Sequence, residues 1–246
     1  MTQPMHVMPR EEQERILAIF SEWFKNNVVV NHIANTEKLK NPNEFNINPF
    51  LTPYLAGFLY DELTPESVAR VLIYPRVLGT SITTSFGTLM QRFISDVLKE
   101  VYGSTTRGID IEFIDAVDGR KKYCQVKAGP QTINKDDVVT VHNHFRDARN
   151  LGKTNNLPVQ QHDLVVGILY GEEHELNAHY KKLRDTHDYP IYIGKEFWYH
   201  LTGNKDFYHE IYVTISNVGA GVKGEQLINT VVEALVETDV IKEIVG

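Results

Sequence analysis

Gly108 to Lys127 reads GIDIEFIDAVDGRKKYCQVK, and the periodicity of this stretch decides the fold. Ile109, Ile111 and Phe113 alternate with Asp110, Glu112 and Ile114, the period of two expected of a strand. Asp118-Gly119 is a favoured pair for a two-residue type I′ turn, and Lys121 to Lys127 supplies the returning strand. Such a turn pairs Val117 with Arg120, and so sets Glu112 opposite Gln125 and Asp110 opposite Lys127. Asp110, Glu112, Gln125 and Lys127 then share one face, and Ile111, Phe113, Cys124 and Val126 the other. The expectation is a hairpin with one core face and one chemical face.

On either side of the hairpin the period returns to 3.6. Phe86, Leu89, Met90, Phe93, Ile94, Val97, Leu98 and Val101 predict a helix from Ser85 to Val101, ended by Gly103. Earlier helices are expected at Glu11 to Lys25, with Ile16, Leu17, Phe20, Trp23 and Phe24 inward, and after Asn48-Pro49-Phe50, with Tyr54, Leu55, Phe58 and Leu59 inward. Thr64 and Pro65 start another, closed by Pro75. After the hairpin, Asn134 caps a helix from Lys135 to about Asn150. Asp163 to Tyr170 and Ile191 to Ile193 read as strands, and Glu172 to Leu183, Glu196 to Leu201 and Phe207 to Ile215 as helices. A final helix, 225 to 243, carries a stripe of Leu227, Ile228, Val231, Val232, Leu235 and Val236. The fold class is α/β (α+β), a small mixed central sheet flanked by helices. It is expected as a single domain, 1–246, with a helical N-terminal region (1–84), a catalytic core (85–218) and a C-terminal helix (219–246).

With 246 residues and 42% apolar side chains, intrinsic disorder is excluded. A net charge of -7 argues against a polycationic nucleic-acid or membrane-surface binder. Its distribution is uneven. Arg120 to Lys153 holds eight basic and three acidic residues, whereas 224–246 holds five acidic and one basic. A basic segment of that size suits salt-dependent phosphate contacts. The single cysteine, Cys124, excludes an internal disulfide and a multi-cysteine zinc site and fits a reducing compartment. Without a signal-like start or a long apolar run, a cytoplasmic protein is expected. His142 and His144 are two apart and His174 and His179 five apart, neither the spacing of a helical zinc pair. No G-x-S-x-G elbow is present.

Two carboxylates, an amide oxygen and an ammonium at cross-strand distance make a hard-oxygen site suited to Mg²⁺. The same spacing also fits an ordinary Asp110–Lys127 ion pair on a solvated face.

The stretch Tyr123 to Asn134, YCQVKAGPQTIN, resembles the active-site strand and following loop of type II restriction endonucleases of the PD-(D/E)xK superfamily. Asp110 in GIDIEF is similar to that family's metal-binding aspartate, and Gln125-Val126-Lys127 to its (D/E)xK element, with Gln125 in place of the usual acid. The helix before the hairpin resembles one that often carries an acidic residue, where Gln91 stands here. DLVVGILYG and IGKEFWYHLTG, further along, extend the resemblance over about residues 85–205.

The resemblance implies a restriction-endonuclease-like core and Mg²⁺-dependent phosphodiester hydrolysis in double-stranded DNA. Asp110, the Gln125 oxygen and the Val126 carbonyl would hold the metal, with Glu112 and Gln91 as further ligands. Lys127 would orient the attacking water; the catalytic set is Asp110, Glu112, Gln125 and Lys127. Thr132, Asn134 and Lys135, at a helix start, and Arg120 and Lys122 are the expected DNA contacts. The family also implies a homodimer for palindromic sites, for which the apolar helices at the two chain ends are candidate surfaces, and a cognate DNA methyltransferase as partner. Its branch that cuts GGNCC-cored sites has a loop reminiscent of GPQTIN. A structure-specific repair or recombination nuclease, or a non-catalytic DNA-binding module with a decayed metal site, are the alternatives.

Overall fold

The computed structural model describes residues 4–98 and 102–246; the expected helix end at Val101 lies outside them, as does the side chain of Gln91. Helices α1 (Arg10–Phe24) and α2 (Val30–Lys38) are joined by a π-helical segment, Lys25–Val29. Then come α3 (Leu51–Tyr60), α4 (Pro65–Leu78) and α5 (Thr80–Phe93), which continues as a π-helical segment over Ile94–Leu98. The hairpin strands are β1 (Ile111–Ile114) and β2 (Lys121–Lys127), followed by α6 (Lys135–Thr154), β3 (Leu164–Ile168), α7 (Ala178–Asp185) and β4 (Ile191–Ile193). Helices α8 (Lys195–Thr202), α9 (Phe207–Ala220), α10 (Gly224–Val236) and α11 (Asp239–Val245) complete the chain. The class is mixed α/β, as expected. The chain divides into two compact units, Met1–Phe20 with Leu89–Thr214 and Ser21–Thr88 with Ile215–Gly246.

The first unit holds the sheet, in order β1-β2-β3-β4, antiparallel between β1 and β2 and parallel thereafter. Both parallel connections run through a helix. From α6, Val138, Val141, Phe145 and Ala148, and from α7, Tyr180 and Leu183, pack with Tyr123, Leu164, Val166 and Ile168 in one core. Cys124 lies on the opposite face, close to Phe197 of α8: a Cβ on Gly167 would lie 2.4 Å from the Phe197 ring and 3.0 Å from the Cys124 sulfur. β2 and β3 are therefore buried on both faces, as central parallel strands are. The face expected to carry the chemistry is thus packed as well, because α6 covers Tyr123 and Gln125.

The hairpin register also differs from expectation. Ile111 pairs with Cys124, Glu112 with Tyr123, Phe113 with Lys122 and Ile114 with Lys121, so the partners are displaced by two residues and the sharing of faces is unchanged. The reason is the turn. A type I′ turn needs positive φ at both central residues, yet only Gly119 adopts it (φ 68°), while Asp118 does not. Instead the Asp115 carboxylate accepts from Val117 N–H at 2.8 Å and the Asp118 carboxylate from Arg120 N–H at 2.9 Å. These local bonds stabilise a longer loop, closed where Asp115 N–H donates to Arg120 C=O at 2.9 Å.

In the second unit, Val68, Ala69, Val71, Ile73 and Val77 of α4 pack with Val231, Val232 and Leu235 of α10 and Ile241 of α11. The C-terminal stripe is thus consumed by a core; on α1, Ile16 and Phe20 of the first unit and Trp23 and Phe24 of the second are buried as well. Pro75 does not close α4, which runs on to Leu78 with Val77 buried. Helix α3 is turned the other way round from expectation. Thr52 and Ala56 face inward, while Tyr54, Leu55, Phe58 and Leu59 are exposed. Small residues on that side allow close approach to α4, and the large apolar side is left outside.

Candidate active site at one end of the sheet

β1 begins just after Asp110 and β2 ends at Lys127, so both residues lie at one end of the hairpin. Asp110 N–H donates to Cys124 C=O at 3.0 Å, and the Asp110 carboxylate accepts from the Val126 N–H at 2.9 Å. A side chain therefore replaces the next backbone partner. On its other edge, β2 pairs with β3, where Lys127 C=O accepts from Leu169 N–H at 3.1 Å. Strand alternation turns the N–H and C=O of Val126 toward the β1 edge, beyond the last ladder pair there.

Gln125, only 4% exposed, lies under α6. Its amide nitrogen donates to Gly108 C=O and to Nδ1 of His144, the latter at 2.6 Å. Its oxygen makes no hydrogen bond among the described residues. Lys127 is half-buried and makes no ion pair among the described residues. The Asp110 carboxylate, Gln125 amide oxygen and Val126 carbonyl are hard oxygen donors, the chemistry that suits Mg²⁺ over a softer metal. Among the described residues no group of three or more His, Cys, Asp and Glu side chains forms a metal cluster.

Glu112 is placed differently. It faces Tyr123 in the ladder, and its carboxylate accepts from Ser104 and from Thr106 at 3.1 Å while pairing with Lys121 at 2.6 Å. Burial alone would raise its pKa, but the bonds from Lys121, Ser104 and Thr106 outweigh it and hold the carboxyl below its ordinary value.

Of the expected DNA contacts, Lys122 is only 1% exposed and bound to Asp118, which is 2.5 Å away. Its charge is therefore consumed inside the fold, a correction to the sequence reading. Arg120 is held by Asp163 through two bonds of 2.7 and 2.6 Å. Asn134 caps α6, accepting from Asp136 and Asp137 N–H at 2.8 and 3.1 Å. Thr132 donates to Gly129 C=O at 2.8 Å and contacts the Tyr180 hydroxyl at 3.2 Å. Lys135 is exposed at the start of α6, with Asp136 and Asp137 beside it.

Neither Gly108 nor His144 carries a sequence signal for this site. Gly108 reaches Gln125 from the chain just before β1, and α6 crossing over β2 brings His144, a contact that no local pattern encodes. Gly108 adopts φ 80°, and a Cβ there would lie 2.3 Å from the His144 ring.

Concavity alone points elsewhere. A cavity of about 660 Å³ is bordered by Tyr170, Glu172, Lys195, Glu196 and His200, and one of about 540 Å³ by Met8, Tyr102, Glu112 and Lys121. Neither is lined by Asp110, Gln125 or Lys127.

No curated protein matches the chain. No helix among the described residues is long and apolar enough to cross a membrane. The model of the family described as Type II restriction endonuclease EcoO109I matches residues 25–223, well over half of the chain and including the whole sheet. The chain therefore belongs to this family of type II restriction endonucleases, nucleases that cleave DNA.

Proposed function

We propose that the protein is a PD-(D/E)xK-type enzyme that hydrolyses both strands of a specific DNA site with Mg²⁺, using Asp110, Gln125, Val126 and Lys127. The observation that carries this reading is that Asp110, Gln125, Val126 and Lys127 lie at one sheet end, where the Asp110 carboxylate accepts from Val126 N–H and Lys127 makes no ion pair among the described residues. Bound there, Mg²⁺ would act as a Lewis acid toward the scissile phosphate.

The chain's own residues divide the remaining work. The Asp110 carboxylate is braced by Val126 N–H. Lys127 directs N–H donors at the attacking water and at the phosphoryl oxygens as charge grows on them. The water oxygen forms a bond to phosphorus as the bond to the 3′ oxygen breaks, leaving a 5′-phosphate and a 3′-hydroxyl. Glu112, tied to Lys121, Ser104 and Thr106, anchors the edge strand beside this site. The likeness of the GPQTIN loop supports a GGNCC-cored recognition site, and a cognate methyltransferase would protect the host genome.

Asp110→Ala and Lys127→Ala should each lower the cleavage rate by about 10³-fold or more while DNA binding is kept. Cleavage surviving in either variant would remove the proposal. Sequencing the ends made by the wild-type enzyme reads the site and overhang directly.

A homodimer fits the need to cut two strands, and its contact surface is assigned to α3. Phe50 is 88% exposed, Tyr54 62%, Phe58 72% and Leu59 57%. Aromatic side chains of roughly 150–250 Å² each bring this face to several hundred Å², approaching the ~800 Å² per partner of a stable interface. Phe58→Glu should yield a monomer in sedimentation velocity and abolish double-strand cutting; a variant that remains dimeric would exclude α3 as the contact.

A further inference from the structure

We propose that His144 and Gly108 are positioning residues that let a glutamine serve where an acid would otherwise stand, by fixing which end of the Gln125 amide faces the cation. The inference rests on the metal-site reading above and adds two residues to it. A carboxylate has two equivalent oxygens, so either rotamer about its last bond presents a donor to a metal. An amide has one. Turned the wrong way, Gln125 would aim an N–H₂ group at the cation, and two of its donors would oppose binding.

The structure holds the amide in the productive sense through its nitrogen. One N–H goes to the Gly108 carbonyl, which has no alternative role but acceptor, and the other to Nδ1 of His144 at 2.6 Å. Because an amide nitrogen only donates, Nδ1 must accept, and the imidazole hydrogen is on Nε2. With both hydrogens engaged, the oxygen makes no bond among the described residues and is left for a cation.

Backbone geometry supports the arrangement. Gly108 adopts φ 80° and packs against the His144 ring so closely that a Cβ would lie 2.3 Å from Cγ. A glycine is needed both for the conformation and for the approach. His144 itself sits beside Phe145 on α6, whose Val141, Phe145 and Ala148 are buried in the core. The acceptor is thus mounted on a rigid element, as groups that orient metal ligands are.

The test is Mn²⁺ binding to the intact protein, followed by electron paramagnetic resonance, in a double-mutant cycle. His144→Phe keeps a ring and removes the acceptor; it should weaken Mn²⁺ binding about tenfold in the wild-type background. In the Gln125→Glu background the same change should cost less than threefold, because either carboxylate oxygen can face the cation. His144→Asn, which restores an acceptor, should recover most of the loss and serves as the second variant if His144→Phe does not fold. Equal losses in both backgrounds, or no loss in the first, would overturn the proposal. Asp110→Ala separates the two levels: if it binds Mn²⁺ as the wild type does, the metal-site reading itself fails. If Asp110→Ala abolishes binding and His144→Phe leaves it intact, only the positioning role falls.

Discussion

The two ends of β2 carry similar residues and use them differently. At the N-terminal end, Lys122 is 1% exposed and lies 2.5 Å from Asp118, 3.8 Å from Asp115 and 3.9 Å from Asp163. Asp163 is also clasped by Arg120, and Asp115 by His200 at 2.8 Å. At the other end, Asp110 and Lys127 flank an amide whose oxygen is uncommitted, and Lys127 makes no ion pair among the described residues. Charges saturated by partners hold a fold together. An amide oxygen and a cation without partners among the described residues have capacity for a ligand and a reaction.

Removing the buried cation is the larger test of this contrast. Lys122→Met would leave Asp115 and Asp163 buried without it, and breaking a buried ion pair from one side costs about 3–5 kcal/mol. For a chain of this size that lowers the melting temperature by roughly 6–20 °C. Lys127→Met, at the other end, should change stability by only about 0.5 kcal/mol while abolishing cleavage. Calorimetry of both variants decides the point: comparable melting temperatures would erase the distinction between the two ends.

The pH dependence of that loss has a definite sign. Burial would raise the pKa of Asp115, but hydrogen bonds from His200 and Val117 N–H and the charge of Lys122 outweigh it and hold the pKa below the usual value. Burial acts likewise on Asp163, and Arg120, the Gln160 N–H and Lys122 outweigh it. Depressed carboxylates contribute stability that is full above their unfolded pKa, near 4, and lost as pH falls through the folded one. The Lys122→Met penalty should accordingly be full at neutral pH and shrink in acid, where the carboxylates of both proteins are protonated.

Much of this fold was legible in the chain, and the limits are physical. The change of period around Gly103 located the hairpin, and Asn134 located the start of α6, because both signals are local. The register departs from that of a two-residue turn since Asp115 and Asp118 bond the backbone around them, an option open to any Asp in a loop. Helix α3 has the spacing of a buried face, and spacing alone does not say whether the large side or the small side meets the core. The basic excess between Arg120 and Lys153 suggested a phosphate surface. Half of its basic residues are paired with Asp118, Asp163, Glu112 and Asp147, the first three of which lie outside that segment. Asp110, Gln125 and Lys127 come together because face sharing survives a two-residue slip, whereas the contact of His144 with Gln125 depends on a helix crossing that no local pattern encodes.

Glu112 offers the smallest and sharpest probe, since it stands between the two ends and shares a face with Asp110. Glu112→Gln keeps an oxygen for Ser104 and Thr106 and removes the ion pair with Lys121, whose side chain is 52% exposed. With the Lys121 ammonium in solvent, although Glu112 is only 15% exposed, such a pair contributes about 1 kcal/mol, so the melting temperature should fall by a few degrees at most. If Glu112 belongs with the saturated charges, the cleavage rate and its Mg²⁺ dependence should change no more than a few-fold. A loss comparable to that of Asp110→Ala would instead make Glu112 a metal ligand. The boundary between scaffold and active site would then shift two residues along β1, toward the turn.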